Sequence, residues 1–320
     1  MALGNFLNQR LASADFGCPK TFMTEPTLAR PPAHPKRLAY LGTPDVAVEP
    51  LRALVDAGFE IPIVISGPDK RRGRGGELSP SPVKAAALEL GLSVSDQLED
   101  VVTAGADLAV VVAYGRIIPA SILEVVPMIN IHFSLLPKWR GAAPVERALL
   151  AGDAETGVCL MDIGVELDTG DVYARTVTSI SADDTLTTLR ARLIALGSEL
   201  LVETLSTDLP IAVPQSGEIS YAKKISAAEL EIDWSLPAST IERIVRLGGA
   251  WTTFRGSRLK IHEVAFGPAA GAPGTIDSLV VGCGQGALEL VVVQPEGKAR
   301  QDAAAWRNGA RPSSDDRLGQ

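Results

Sequence analysis

Asp107-Leu108-Ala109-Val110-Val111-Val112-Ala113 decides the fold. A strand with one wet face alternates apolar and polar residues, and this run does not. A continuous apolar run is what a strand shows when both of its faces are covered, as in a parallel sheet with helices on either side. Working outward, short apolar runs at 37–41 and 61–66 alternate with helix-like segments at 46–57 and 82–90, and a further strand is expected at 128–133. That βαβα order predicts an α/β domain built on a doubly wound, mostly parallel sheet. Beyond it, 144–150 predicts a helix with Pro144 in its first turn, 157–163 and 172–180 predict strands, and 185–205 carries the 3.6-residue period of a closing helix.

The 320 residues exceed one ordinary domain, and 46% hydrophobic with 21% charged residues is a globular composition. After residue 209 come Pro210, Pro214, Ser216 and Gly217, a linker composition. Beyond it the helical pattern disappears except at 238–247, while 258–266, 274–283 and 286–294 are short strand-like runs, which predicts a small β-barrel. Residues 1–36 have no steady period and close on Arg30-Pro31-Pro32-Ala33-His34-Pro35, so they are expected to be a disordered tail, with Met23 a second possible start. The expected division is a tail at 1–36, a catalytic domain at 37–212, a linker at 213–225 and a second domain at 226–320.

Composition also excludes. The longest apolar stretches, 107–115 and 280–293, are cut short well before the ~20 residues of a membrane helix, so no membrane association is expected. Cys18, Cys159 and Cys283 form no CxxC pair, and His34, His132 and His262 are not spaced to share a metal; a reducing cytoplasm and no metal are expected. Segment 37–220 carries 14 basic and 25 acidic residues, or −11, whereas 221–312 carries 11 and 9, or +2. This is not the field of a strongly basic nucleic-acid binder.

The turn Leu41-Gly42-Thr43-Pro44-Asp45 lacks the GxGxxG dinucleotide fingerprint, and Thr43 and Pro44 suit the cap and first position of the next helix. If 128–133 is a strand, alternation puts Asn130, His132 and Ser134 on one face. Asn130 supplies a neutral donor, His132 a proton carrier, and the turn Leu167-Asp168-Thr169-Gly170-Asp171 a carboxylate to orient or charge the imidazole. No GxSxG elbow accompanies them. The set suits direct acyl transfer with oxyanion stabilisation better than covalent catalysis.

Asn130-Ile131-His132, then Ser134-Leu135-Leu136-Pro137, Arg140-Gly141-Ala142-Ala143-Pro144, Gly152-Asp153-Ala154-Glu155-Thr156-Gly157 and the Asp168 turn, in that order, resemble the formyltransferases that use 10-formyltetrahydrofolate. Leu41 to Asp45, Tyr221-Ala222-Lys223-Lys224-Ile225 with Ile232-Asp233-Trp234, and Gln294-Pro295-Glu296-Gly297-Lys298 resemble the branch of that family that formylates methionine carried on initiator tRNA. The likeness runs from about residue 37 to 318. It implies a Rossmann-like formyltransferase domain followed by an OB-like, tRNA-binding barrel.

By the same resemblance Asn130, His132 and Asp168 are the catalytic residues, with His132 protonated against the oxyanion. Ser134, Leu135, Leu136 and Pro137 form the folate-contacting loop, and the folate is the formyl donor. The partner is initiator methionyl-tRNA, the enzyme is expected to act as a monomer in the cytoplasm, and the basic Gly-rich loop with Lys70, Arg71, Arg72 and Arg74 meets the tRNA. Two positions depart from the family pattern: Phe133 stands where many relatives have a small residue, and Glu166 where many have glycine, which puts a second carboxylate near Asp168. Competing readings are a sugar-nucleotide formyltransferase, a formyltetrahydrofolate hydrolase, and a catalytically silent tRNA-binding protein; the second domain favours the tRNA substrate and the intact triplet favours an enzyme. His262, in a strand-like run, is expected to be structural.

Overall fold

The computed structural model describes residues 27–72, 76–268, 271–313 and 315–320. Its first sheet is built around the apolar run that predicts it. Strand β1 (Leu38–Gly42) is buried at every position and lies parallel to β2 (Val64–Ile65), which in turn pairs with β3 (Val94–Ser95). On the other side β1 pairs with β4 (Leu108–Val112), also buried throughout, and β4 with β5 (Met128–His132), both parallel. Two longer strands, β6 (Glu155–Asp162) and β7 (Val172–Ser179), extend that edge in antiparallel fashion, giving the order β7-β6-β5-β4-β1-β2-β3.

Helices cover both faces. Helices α1 (Val48–Asp56), α2 (Pro82–Glu89), α3 (Pro144–Ala151) and α4 (Leu186–Ser206) contribute to one core with Leu38, Tyr40, Val110, Ile129, Ile131 and Leu160. A second cluster on the opposite face holds Ala39, Leu41, Val111 and Met128. Each fully buried Val or Leu contributes about 1.5–3 kcal/mol relative to exposure, so a strand buried on two faces is anchored from both.

The second domain has its own core, from Ile232 and Trp234 to Trp306 and Leu318. Helix α5 (Ala238–Leu247) packs on a curled antiparallel sheet of β8 (Trp251–Phe254), β9 (Ser257–Phe266), β10 (Ile276–Asp277), β11 (Val280–Gly282), β12 (Ala287–Pro295) and β13 (Gln301–Asp302), an open half-barrel of the OB-like kind. The expectation of a single helix here is corrected by α6 (Ala303–Ala310), whose Trp306 is buried edge-on against Phe254 at 5.1 Å. Gly309 and Asn308 break an apolar stripe of only two turns, which hides the period.

Three other expectations change. The segment 68–77 is not simply a loop: Lys70–Arg72 pairs antiparallel with Glu77–Ser79 as a hairpin. Thr43 caps no helix; α1 begins at Val48, after a 3-10 turn at Asp45–Ala47, and the Thr43 hydroxyl instead donates to the Tyr114 carbonyl (3.4 Å) and accepts from the Gly67 amide (3.3 Å). Of the expected disordered tail, 1–26 lies outside the described residues, but 27–36 is attached. The Ala29 amide bonds the Leu123 carbonyl, the Ala33 carbonyl accepts from the Leu209 amide, and the Lys36 amide meets the Asp107 carboxylate. Backbone bonding needs no apolar period, so periodicity could not show it.

Among the described residues no helix is long and apolar enough to cross a membrane, and no group of three or more His, Cys, Asp or Glu is placed to hold a metal ion.

Candidate active site

Strand β5 ends on the site. Because side chains alternate, Ile129 and Ile131 enter the core under α4 while Asn130 and His132 face the other way, and Phe133 returns to the core side against the helix at Gly197. Phe133 is therefore part of the hydrophobic core and not a wall of the site. Cys159 and Met161, the neighbours of His132 and Asn130 across β6, share the site face and form with Leu136 a small apolar floor.

The Ser134–Pro137 loop lies on that floor. Ser134 is fully buried and its hydroxyl donates to the Lys138 carbonyl (2.6 Å), Leu136 and Pro137 are buried, and Leu135 is half-buried. Trp139 follows in the left-handed region (φ 64°), with its indole N–H on Asp153 (2.8 Å) and its amide on the Ser220 hydroxyl (2.9 Å).

Asp168 reaches His132 from a different direction. The chain leaves β6 beside Met128, where the Ile163 amide meets the Met128 carbonyl, and returns through residues 163–171 to begin β7. Within this excursion Asp168 adopts φ 52°, and its Oδ2 accepts from the Gly141 amide at 2.7 Å and lies 3.7 Å from His132 Nδ1. Gly170 admits no side chain, since a Cβ there would overlap the Asp162 carbonyl. Gly141 sits at φ 117°, where its Cβ would come within 2.9 Å of the Ala222 carbonyl.

The other nitrogen of His132, Nε2, lies 2.9 Å from the Trp139 carbonyl, so both ring nitrogens face oxygen acceptors. Burial nevertheless dominates: desolvation holds the His132 pKa below its ordinary value, the Asp168 charge and the Trp139 carbonyl raise it in part, and Arg140 lowers it again. The net direction favours the neutral imidazole more than in an ordinary histidine, while the two acceptors at its nitrogens favour the charged form against which the oxyanion would form. Beside the site, Asp162 hydrogen-bonds the Tyr173 hydroxyl, and burial pushes the Asp162 carboxyl up while the phenol also rises.

The structure thus brings together Asn130, His132, Asp168 and the Ser134–Pro137 loop. Glu166 is exposed and makes no ion pair among the described residues, so it is Asp168 that faces His132. In the basic hairpin Lys70 and Arg71 are exposed, Arg72 lies in the strand, and Arg74 lies outside the described residues. Sequence reasoning missed Trp139 and Gln215. A carbonyl contact has no side-chain signature, and Gln215 lies in a stretch whose Pro and Gly content reads as passive.

An amide, an imidazole and a carboxylate thus meet beside one apolar floor, a set that can donate to an oxyanion and carry a proton and that contains no nucleophilic side chain of its own. The formyl transferase family model matches residues 36–205, and the model for the formyl transferase C-terminal domain matches 224–311, which defines the class as formyl transferase. A methionyl-tRNA formyltransferase of Roseobacter denitrificans is 47% identical over 292 residues, spanning 86% of this chain and 96% of that protein, and one of Neisseria meningitidis serogroup B is 41% identical over 298 residues, spanning 85% and 97%. The chain belongs to the methionyl-tRNA formyltransferase family. Its fold is shared with an N-formyltransferase of Helicobacter canadensis solved with folinic acid and dTDP-3-aminofucose (TM-score 0.62, 18% identity, 81% of this chain and 98% of that one). HypX from Aquifex aeolicus, solved with tetrahydrofolic acid, also shares it (TM-score 0.60, 17% identity, 86% and 47%).

Proposed function

We propose that this enzyme transfers the formyl group of 10-formyltetrahydrofolate to the amino group of methionine on initiator methionyl-tRNA, and that Asn130, His132 and Asp168 carry the chemistry. The single observation that carries the catalytic assignment is the His132–Asp168 pair, 3.7 Å apart, on the face that also presents Asn130.

The free amine attacks the formyl carbon, and the Asn130 amide donates to the oxyanion that develops. A preorganised donor of this kind typically supplies about 10²–10³ in kcat. His132, as the neutral tautomer with its hydrogen on Nδ1 toward Asp168, turns Nε2 from the Trp139 carbonyl to the substrate and takes there the proton released by the attacking nitrogen; Asp168 then stabilises the imidazolium. Collapse of the intermediate breaks the bond from the formyl carbon to N10, and the proton passes from His132 to that leaving nitrogen. No bond to the protein is made or broken.

The folate is placed against the Ser134–Pro137 loop. Exposed Ile117, on the loop after β4, and Leu167, next to Asp168, offer apolar contact to a flat ring system. Lys70, Arg71, Arg72 and Arg74 are assigned to tRNA phosphates, with 226–320 as the tRNA-binding domain joined through 213–225 to a catalytic domain at 37–212. His132 and Asp168 meet within one chain, so this pair needs no second copy, and the reading includes action as a monomer in the cytoplasm, where aminoacylated tRNA is used.

Acceptor choice tests the proposal. Given radiolabelled formyl donor with methionyl initiator tRNA and a free amino-sugar nucleotide in competition, the enzyme is expected to label the tRNA. Label on the sugar, or formate released without transfer, overturns it.

A further inference from the structure

We infer that Gln215, in the stretch between the two domains, is a positioning residue for Asp168, and that this stretch is a working part of the active site rather than a tether.

All polar atoms of the Gln215 side chain are engaged. Its Nε2 donates both hydrogens to backbone carbonyls of the catalytic excursion, Asp168 (2.9 Å) and Gly170 (2.8 Å). Its Oε1 accepts two bonds from the buried guanidinium of Arg140, from Nε (3.1 Å) and Nη2 (2.6 Å). One amide therefore ties the turn that carries the carboxylate to the segment that follows the Ser134–Pro137 loop.

The geometry of Asp168 makes such a tie consequential. A non-glycine residue at φ 52° leaves that conformation unless its surroundings hold it. The Gly141 amide holds the carboxylate, and Gln215 holds the backbone that aims it. Gln215 is itself fixed from both sides. Val213 exchanges two backbone bonds with Val172 at the start of β7, and Ser220 bonds Trp139, the residue whose carbonyl meets His132 Nε2. Both partners of His132 are thus braced by the same stretch of chain, residues 213–220. A tether would need none of these side-chain bonds, and a merely packed segment would not commit a carboxamide to two carbonyls of the catalytic excursion.

The inference rests on the role given to Asp168 above, and its test has two readouts. Gln215→Met keeps the length and removes every hydrogen bond; Gln215→Glu keeps an acceptor for Arg140, removes the two donations to Asp168 and Gly170, and sets a carboxylate oxygen against those carbonyls. Ile211→Ser, exposed on the same stretch, is the control. In steady-state transfer assays kcat is expected to fall about ten- to a hundredfold in both Gln215 variants, the scale of a small misplacement in an active site, while KM for folate and tRNA stays within about twofold. In the free protein, NMR titration of the three histidines should show the His132 midpoint of Gln215→Met moved to lower pH, because the carboxylate that favours the imidazolium is no longer aimed at it.

An unchanged His132 midpoint in Gln215→Met, or a wild-type kcat in Gln215→Glu, overturns the inference. If Gln215→Met does not fold, Gln215→Glu decides through kcat. Absence of transfer in the wild type refutes the formyl-transfer reading instead and leaves the His132 titration to judge the positioning role; full wild-type transfer with unaltered variants refutes the positioning role alone.

Discussion

Replacing Asp168 by asparagine removes one charge and almost no volume. The Asn oxygen can still accept from the Gly141 amide, which Asp168 Oδ2 meets at 2.7 Å, so the excursion keeps its anchor. What is lost is attraction to the imidazolium. At the observed 3.7 Å, with an effective dielectric near 20, Coulomb's law gives roughly 4 kcal/mol for a full charge. Only part of that charge has developed at the transition state, so about 3–4 kcal/mol is at stake, which at 1.36 kcal/mol per decade is a fall of about 10²–10³ in kcat. Neither substrate contacts Asp168 in the proposed mechanism before proton transfer, so KM for folate and tRNA should hold. The assay is steady-state formylation with each substrate saturating in turn, on protein whose melting temperature matches wild type. A kcat within about threefold of wild type, or a loss confined to KM, would refute the assignment of Asp168 as the counter-charge.

Burial lowers the His132 pKa, so the neutral form needed to accept a proton persists to lower pH than for an ordinary histidine; kcat should be flat through neutrality, with its acid limb below the ordinary 6.5, and a limb above 6.5 would contradict the neutral base. Phe133→Ala should destabilise the fold by about 2–4 kcal/mol through loss of core packing while KM for folate stays unchanged, and Glu166→Gly should alter neither, as calorimetry and kinetics on the pair will show. With a net −11 over residues 37–220, tRNA must be gripped locally, so Lys70→Ala with Arg71→Ala should raise KM for tRNA and lower the slope of log KM against log salt by about two, leaving folate affinity alone.

The fold was legible where burial is two-sided. The run at 107–113 announces a parallel strand because nothing polar interrupts it, and β1 and β5 follow from similar runs. Strand β3, two residues long, has too few positions to show a pattern, and α6 was hidden by Gly309 and Asn308. In the site, Asn130 and His132 were legible because alternation on one strand fixes their shared face, and Asp168 because the motif order brought it in. That Phe133 points away follows from the same alternation, read one residue further. The downward pull of burial on His132 was not legible, since burial is produced by segments far apart in sequence. Gln215 was invisible because its partners lie 47, 45 and 75 residues away and it has no local period.

The central claim is direct transfer, with His132 as base and no formyl group on the protein. A rapid-quench single turnover tests it: enzyme preloaded with radiolabelled 10-formyltetrahydrofolate is mixed with methionyl initiator tRNA, and label is followed on folate, protein and the methionine nitrogen. The account predicts that label passes from folate to methionine without appearing on the protein, and that His132→Ala slows this step by about 10²-fold or more. Label trapped covalently on the protein, or His132→Ala turning over at the wild-type rate, would contradict it.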